Sequence, residues 1–512
     1  MIGILISAVI LMYLLKLFYH VSYSRKYLPP GPLGLPLVGN FFQLGRLPHL
    51  TLTKWARKYG PVFSIRLGVR LCVVVNDTKS VKEIFVKRGS KYSSRNQSYL
   101  INEVCFRADK GVSVLPYGNQ WRKMRKAIYR AFNSSAVQSY LPVLDLQTNN
   151  LLLDLVEASD KSADDGFYPE DIMKKFSFNS VVALLVGRSL RPSEEYIMKE
   201  FVQATDDLHG INNVGASFLS YFPFLNKFPN NPIFKKGYDI REKREQIVRE
   251  IQNIGALNGH LESPNRPETV LETIQKHAEK DGLDDMDIIY LCDSLLRGGF
   301  DSSACFLTWA TLILARIPRV QEKLQLEMEQ IVGSSRPPNY QEDSKNLVYL
   351  NAFLKELFRF RTPSFLGIPH ASTEDDVYEQ YVIPQNTLII LNSHAIHFDP
   401  ERFASPEKFL PERFLNKEGD ESKILEDWDH HAFGAGRRIC AGSHFADQQV
   451  WVAVAGIIWA FNVVECSKTP VGDLLRDEDM TRGLANYPLE YKVRFIPKRS
   501  QNIFNFIFTQ TM

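Results

Sequence analysis

Residues Phe433 to Gly442 read FGAGRRICAG and run straight into SHFADQQVWVAVAGIIWAF, an apolar stretch with the character of a buried helix. A cysteine at that junction, Cys440, meets the backbone N–H groups and the positive dipole end of the helix that follows, which favours its thiolate. Arg437 and Arg438 add positive charge beside it. Gly434, Gly436 and Gly442 let the backbone come close to something flat or bulky, and Phe433 can shield the sulfur from water. The combination describes a ligand site centred on a thiolate, where a lone cysteine would read as an ordinary buried residue. Zinc is a second reading, since Cys440 and His444 stand four apart, but no third or fourth ligand follows at zinc-like spacing.

FGAGRRICAG resembles the haem-binding loop of the cytochrome P450 superfamily, Phe-x-x-Gly-x-Arg-x-Cys-x-Gly, at every position, and the chain is most similar to its microsomal, fungal-like members. The resemblance implies haem b (iron protoporphyrin IX) as cofactor, with Cys440 as axial ligand of the iron. It implies Arg438 as partner of a haem propionate, Phe433 as the residue tuning the sulfur, and Gly436 and Gly442 as cofactor-contacting loop positions. Thiolate ligation pushes electron density onto iron and favours O–O cleavage.

Further motifs stand in the order that the superfamily requires. FLKELFRFR holds Glu356-x-x-Arg359, an acid and a base sharing a helix face. Alone this is an ordinary surface pair; with PERF at Pro411–Phe414, the resemblance makes Glu356, Arg359 and Arg413 a scaffolding triad. Trp121 and Arg125 are one helical turn apart in GNQWRKMRKAIYRAF, and the resemblance carries both over as propionate contacts, with His370 in PSFLGIPHAS as a third donor. The remaining bases, Arg122, Lys123, Lys126 and Arg130, read either as a solvated face or as a basic patch on which an acidic reductase docks.

A long helix is expected from about Asp284 to Ile317, ending at Pro318. Its middle breaks helix preference: Gly298 and Gly299 each cost about 1 kcal/mol relative to alanine, and Asp301, Ser302 and Ser303 place polar groups in an apolar run. A close helix crossing at small residues would explain the glycines. GGFDSS also resembles the oxygen-activating segment of the superfamily, where a widened turn admits water and O2 and an acid–alcohol pair, here Asp301 and Ser302, relays protons. The usual alcohol is threonine; serine keeps the hydroxyl but lacks the γ-methyl that restricts χ1. By the same analogy Phe300, Phe365, Leu366 and Leu484 line a mainly apolar substrate pocket.

Residues 1 to 15, MIGILISAVILMYLL, carry no charge, and the apolar character resumes after Lys16. About 20 such residues cross a bilayer core of about 30 Å. With no basic residues before the run and no small-x-small cleavage site, the reading is a retained anchor over residues 1–23 rather than a signal peptide. The basic residues Lys16, Arg25 and Lys26 follow it and place the remainder in the cytosol. Residues 24–40, with four prolines between Pro29 and Pro36, read as a stiff hinge, and residues 41–512 as one catalytic domain. The phenylalanine- and proline-rich Ser217–Phe234 is an apolar loop, either tucked against the core or dipping into lipid.

The 512 residues would allow about three domains. The motifs instead converge on one site, so the expected fold is mainly α with small β-sheets, an α+β body around a buried haem. A hydrophobic content of 45% and a mean hydropathy of −0.19 exclude disorder and a many-span membrane protein. A net charge of +3 gives no global field for nucleic acid. Six dispersed cysteines without a CxxC pair fit a reducing compartment.

The function so implied is a haem-thiolate monooxygenase of the endoplasmic reticulum membrane, single-pass with its catalytic domain cytosolic. It would insert one atom of O2 into a lipophilic molecule such as a steroid, terpenoid or fatty acid. No GxGxxG or flavin domain is present, so the resemblance implies an NADPH-dependent cytochrome reductase as electron donor, with cytochrome b5 as a second. The alternatives are an O2-independent haem-thiolate isomerase or dehydratase, a haem sensor, and a hydroxylase of a small aromatic acid with Arg107 or Arg482 on the carboxylate.

Overall fold

Eleven helices of twelve residues or more dominate the described chain: α1 (Pro48–Tyr59), α2 (Asn119–Phe132), α3 (Leu141–Ser162), α4 (Glu170–Val186), α5 (Glu195–Asn212), α6 (Pro232–Asn258), α7 (Val270–Asp281), α8 (Asp285–Arg316), α9 (Pro318–Ile331), α10 (Val348–Phe360) and α11 (Ser443–Ala460). The computed structural model describes residues 27–212, 218–222, 226, 231–258, 268–415, 430–466, 475–476, 479–481 and 485–498. The expected anchor, Arg482, Leu484 and the end of the chain lie outside them. Among the described residues no single helix is long and apolar enough to cross a membrane.

The pattern around Asp284–Ile317 becomes the single helix α8. Asp284 caps it by accepting from the Asp287 N–H at 2.6 Å, while the Asp287 side chain accepts from the Asp284 N–H at 3.1 Å. This reciprocal pair satisfies two N–H groups that would otherwise lack partners, and Pro318 stops the helix at its far end. Lys110 reaches both carboxylates at 2.8 Å and ties the preceding loop to this start. Eighteen-residue α11 is buried along nearly its whole length beside α3 and α8. Gly456 permits that approach, because a Cβ there would stand 2.9 Å from Thr148.

The strands are β1 (Val62–Leu67), β2 (Arg70–Val75), β3 (Ser94–Arg95), β4 (His370–Ala371), β5 (Asp376–Tyr378), β6 (Tyr381–Ile383), β7 (Leu388–Leu391), β8 (Phe461–Glu465) and β9 (Val493–Pro497). The main sheet runs in the order β1-β2-β7-β4-β3, with β2 and β7 parallel and its other pairs antiparallel. Its last pair sets Arg95 opposite His370, and so joins segments far apart in the chain.

The proline-rich segment is tied to β1 over its described part. Pro29 and Pro30 carbonyls accept from the Ser64 hydroxyl and N–H at 2.6 and 2.7 Å, and Asn40 N–H donates to Arg66 O at 2.6 Å. The stiff segment is therefore laid along β1. Of the apolar Ser217–Phe234 stretch, Tyr221 and Phe222 lie against the β1–β2 turn, where Val69 N–H donates to Tyr221 O at 3.3 Å.

Candidate active site

The FGAGRRICAG loop folds back on itself, with the Cys440 N–H donating to Phe433 O at 2.8 Å. Gly434 and Gly436 take φ of +77° and +66°, conformations that disfavour a side chain. A Cβ on Gly436 would also stand 2.0 Å from Phe85 O, so the loop presses against its own chain at this point. Gly442 faces open space. The Phe433 ring meets Phe358 edge-on at 5.5 Å.

Cys440 is the one exposed cysteine of the six, yet burial raises its thiol pKa, against the pull of the Gly442 N–H and Arg125. An exposed sulfur that is nonetheless surrounded by protein marks an enclosed space beside the loop. The other five are buried.

Three guanidiniums gather around that space. Arg438 donates to the carbonyls of Ser93, Val112 and Leu115 at 2.8, 3.2 and 2.7 Å and lies 4.3 Å from the Trp121 ring centroid. Arg125 donates to Ile439 O at 2.5 Å. Arg95 donates to Ser113 O at 3.0 Å and to Ile368 O. Among the described residues, none of the three pairs with a carboxylate. Burial lowers the Arg438 pKa to about 8, helped by Arg95 and Arg125, and lowers Arg95 to about 9. Buried cations held only by backbone carbonyls are costly unless an anion joins them. The site is thus suited to a large group that carries acids at its edge and accepts a thiolate at its centre.

His370, on β4, is turned by a 2.7 Å contact from Nδ1 to Tyr92 O. Burial holds it well below the usual imidazole range, as do Arg95 and Arg438. Arg95 was invisible in the sequence: a lone arginine in the polar run Ser93–Ser98 looks like a solvated charge. Only the β3–β4 pairing brings it to the site.

Behind the loop, Glu356 pairs with Arg359 at 2.7 Å and Arg413 at 3.0 Å, and accepts from the Leu410 N–H at 2.8 Å. Arg359 also donates to the carbonyls of His397, Pro406 and Lys408. Glu356 and Arg359 are fully buried, so this is a cross-link between α10 and the segment around Pro411–Phe414.

On α8 the two glycines part company. Gly299 faces α4, where a Cβ would stand 2.6 Å from Val181; Gly298 faces open space. The close-crossing reading explains the first and leaves the second unpacked. The segment lies within one continuous α-helix from Asp285 to Arg316. Ser302 Oγ donates to Gly298 O at 2.8 Å. Burial raises the Asp301 pKa, opposed by Tyr487 and Lys174. Tyr487 was also missed, since nothing in ANYPLEY marks one tyrosine as an acid's partner.

The structure places the other expected residues as follows. Phe300 is buried against Phe178 and Phe201 at 5.8 and 6.0 Å, in the α4–α5–α8 core instead of a pocket wall. Phe365 packs against His49, His394 and Phe398, also in the core. Leu366 is half-buried against the β1–β2 cluster. Of the basic run, Lys126 and Arg130 are tied to Asp281 at 2.8 Å each, leaving Arg122 and Lys123 as its open charges, beside Arg437 of the cysteine loop, whose Nη1 donates to the Tyr117 hydroxyl at 2.8 Å. Arg107 is closed by a two-point pair with Glu245 at 2.7 and 2.9 Å and is not offered to a substrate acid.

Comparison with known proteins places these features in one lineage. The family model described as Cytochrome P450 matches residues 29–495. The chain is 30% identical to cytochrome P450 monooxygenase 79 of Postia placenta, covering 97% of this chain and 94% of that protein. It is 28% identical to cytochrome P450 monooxygenase fogE of Aspergillus ruber over 97% and 92%, and 30% identical to cytochrome P450 monooxygenase 69 of Postia placenta over 95% and 92%. A thiol in an interior space, a ring of arginines without acids and a match over nearly the whole chain have one source: this chain belongs to the cytochrome P450 family and is a monooxygenase.

Proposed function

We propose that the chain is an anchored, haem b-dependent hydroxylase of a lipophilic substrate. It works on the cytosolic face of the endoplasmic reticulum membrane with electrons from an NADPH-dependent flavoprotein reductase. Residues 1–23 form its anchor and residues 41–512 its catalytic body. The observation that carries the reading is the set of arginines, Arg95, Arg125 and Arg438, gathered near Cys440, whose hydrogen bonds among the described residues go only to backbone carbonyls. Cys440 would hold the haem, which when bound would supply reductive O2 activation.

The chain's own residues would do the following. Arg438, Arg125 and Arg95 hold the propionates, with the Trp121 ring stacked on the Arg438 guanidinium. Phe433 and the loop glycines keep water from the sulfur. Asp301 and Ser302 pass protons along α8, Asp301 from the side of Lys174 and Tyr487, Ser302 from the side of Gly298. Arg122, Lys123 and Arg437 offer a basic face to an acidic flavoprotein.

The test is the CO difference spectrum of the reduced full-length protein, followed by product assays with purified reductase and a panel of lipophiles. The thiolate band is expected in the wild type and its loss in Cys440→Ser. A wild-type spectrum without that band, or product formed equally without O2 and reductant, would overturn the reading.

A further inference from the structure

Arg297 stands one helical turn before Asp301 on α8. Its Nε donates to Asp293 Oδ2 at 3.0 Å. The same carboxylate is already gripped at both oxygens by Arg244 of α6, through Nε at 2.9 Å and through Nη2. The Phe106 ring borders both guanidiniums, with its centroid 4.9 Å from Arg244 and 5.0 Å from Arg297. One carboxylate therefore serves two arginines, and the cluster keeps one positive charge.

That charge is not shared evenly. Arg244 and Asp293 side chains are 2% and 3% exposed, whereas Arg297 retains 13%. Arg244 also reaches the Cys105 carbonyl, but the two terminal nitrogens of Arg297 donate to no described residue. Neighbouring acids are engaged elsewhere: Glu245 takes Arg107 and the Tyr290 hydroxyl. Burial lowers the Arg297 pKa, and Arg244 adds to it against Asp293. His209 of α5, within the field of both arginines, is pushed down to about 4, chiefly by burial. Beside Arg297, the Gly298 position opens onto free space.

We infer that the substrate is a lipophilic acid, whose carboxylate pairs with the free edge of Arg297 while its apolar body lies along α8 toward Ser302. The inference rests on the monooxygenase reading above and names the substrate class for that site. A guanidinium edge takes a carboxylate in two parallel hydrogen bonds, and here the pair would form away from bulk water, where such bonds discriminate most strongly. A purely structural Arg297 would be redundant, because Arg244 alone already satisfies Asp293 at both oxygens.

The experiment is a spin-state titration of the full-length holoprotein at neutral pH with phenylacetate and decanoate, each against its primary amide. The acids should bind about tenfold or more tightly than the amides, and Arg297→Gln should weaken the acids about ten- to a hundredfold while leaving the amides within about twofold. Arg297→Lys should restore part of the acid preference. The reduced CO spectrum is read on every sample. If the wild type lacks the thiolate band, the family-level reading falls. If the band is intact but neither acid shifts the Soret band, or acids and amides bind alike, acid recognition falls. Equal weakening of acids and amides in Arg297→Gln, with the band intact, would make Arg297 a packing residue and also overturn it.

Discussion

The Tyr487 hydroxyl lies 2.9 Å from Asp301 Oδ1 and 2.9 Å from the Asp301 carbonyl oxygen, a donor shared between the side chain and backbone of one residue. Tyr487 comes from the chain's last described segment, and Lys174 of α4 lies 5.1 Å from its ring centroid while pairing with Glu170 at 2.6 Å. Asp301, the acid of the proposed acid–alcohol pair, is thus oriented by groups from two distant segments. Its pKa is raised by burial and held back by this hydrogen bond.

Removing that bond should raise the Asp301 pKa further. Tyr487→Phe is expected to shift the acid limb of the turnover–pH profile upward, because more of the carboxylate is protonated at a given pH. A hydrogen bond to a charged group contributes about 1.5–3 kcal/mol, so product formed per NADPH should fall by about tenfold or more at neutral pH. An unchanged profile and unchanged coupling would mean that the tyrosine only packs.

The buried Glu356 cross-link should behave differently, as a matter of folding. Glu356→Gln leaves Arg359 and Arg413 in the interior without their counter-charge. Breaking a buried pair from one side costs about 3–5 kcal/mol. The variant should lose haem and show a lower unfolding midpoint in a thermal scan, while Arg413→Lys, which keeps the charge, should lose less.

What the sequence made legible follows a simple boundary. Glu356 and Arg359, or Trp121 and Arg125, are one turn apart on one helix, so spacing alone puts them on one face. Arg95 and Tyr487 are brought in by β3–β4 pairing and by the chain's end, and no local period records such contacts. Phe300 shows a different limit of sequence reading: it is two positions from Gly298, about 200° around the helix, so the two residues face opposite sides. Proximity to a motif is not orientation toward it. Lys126 and Arg130 looked solvated because Asp281, their partner, sits on another helix.

The adjacent glycines on α8 should give opposite results when replaced by alanine. At Gly299 the new methyl meets Val181 at 2.6 Å, and such overpacking costs about 1–3 kcal/mol. At Gly298 the methyl enters open space and helix propensity improves by up to about 1 kcal/mol. Gly299→Ala should therefore lower the denaturation midpoint, and Gly298→Ala should hold or raise it while altering substrate-induced spin shifts.

Asp281 is held down to about 2 by Arg130, with Lys126 helping against a smaller opposing effect of burial. A depressed carboxylate contributes stability above its unfolded value near 4 and loses it as pH falls toward the folded value. After solvent screening the contribution is on the order of 1 kcal/mol. Asp281→Asn should destabilise by that amount from pH 7 down to about 5 in urea titrations, with the difference shrinking below about pH 4. It should also release Lys126 and Arg130, so reductase association at low salt is expected to strengthen. Lys123→Glu should weaken it.

Ser302 Oγ donates to Gly298 O at 2.8 Å, closing its hydroxyl back onto the preceding turn. A serine can leave that rotamer easily, whereas a γ-methyl narrows χ1 and threonine in a helix still reaches the same carbonyl. Ser302→Thr should keep the bond and hold the hydroxyl in fewer positions, so hydrogen peroxide released per NADPH should fall. Ser302→Ala removes the hydroxyl altogether and should raise that release; the loss of a positioned proton donor costs about a hundredfold or more where proton transfer limits the rate. The two substitutions bracket the wild type. Peroxide release that is unchanged or higher in Ser302→Thr would show that rotamer freedom is not what limits coupling, and would shift the control of proton delivery to Asp301 and its tyrosine.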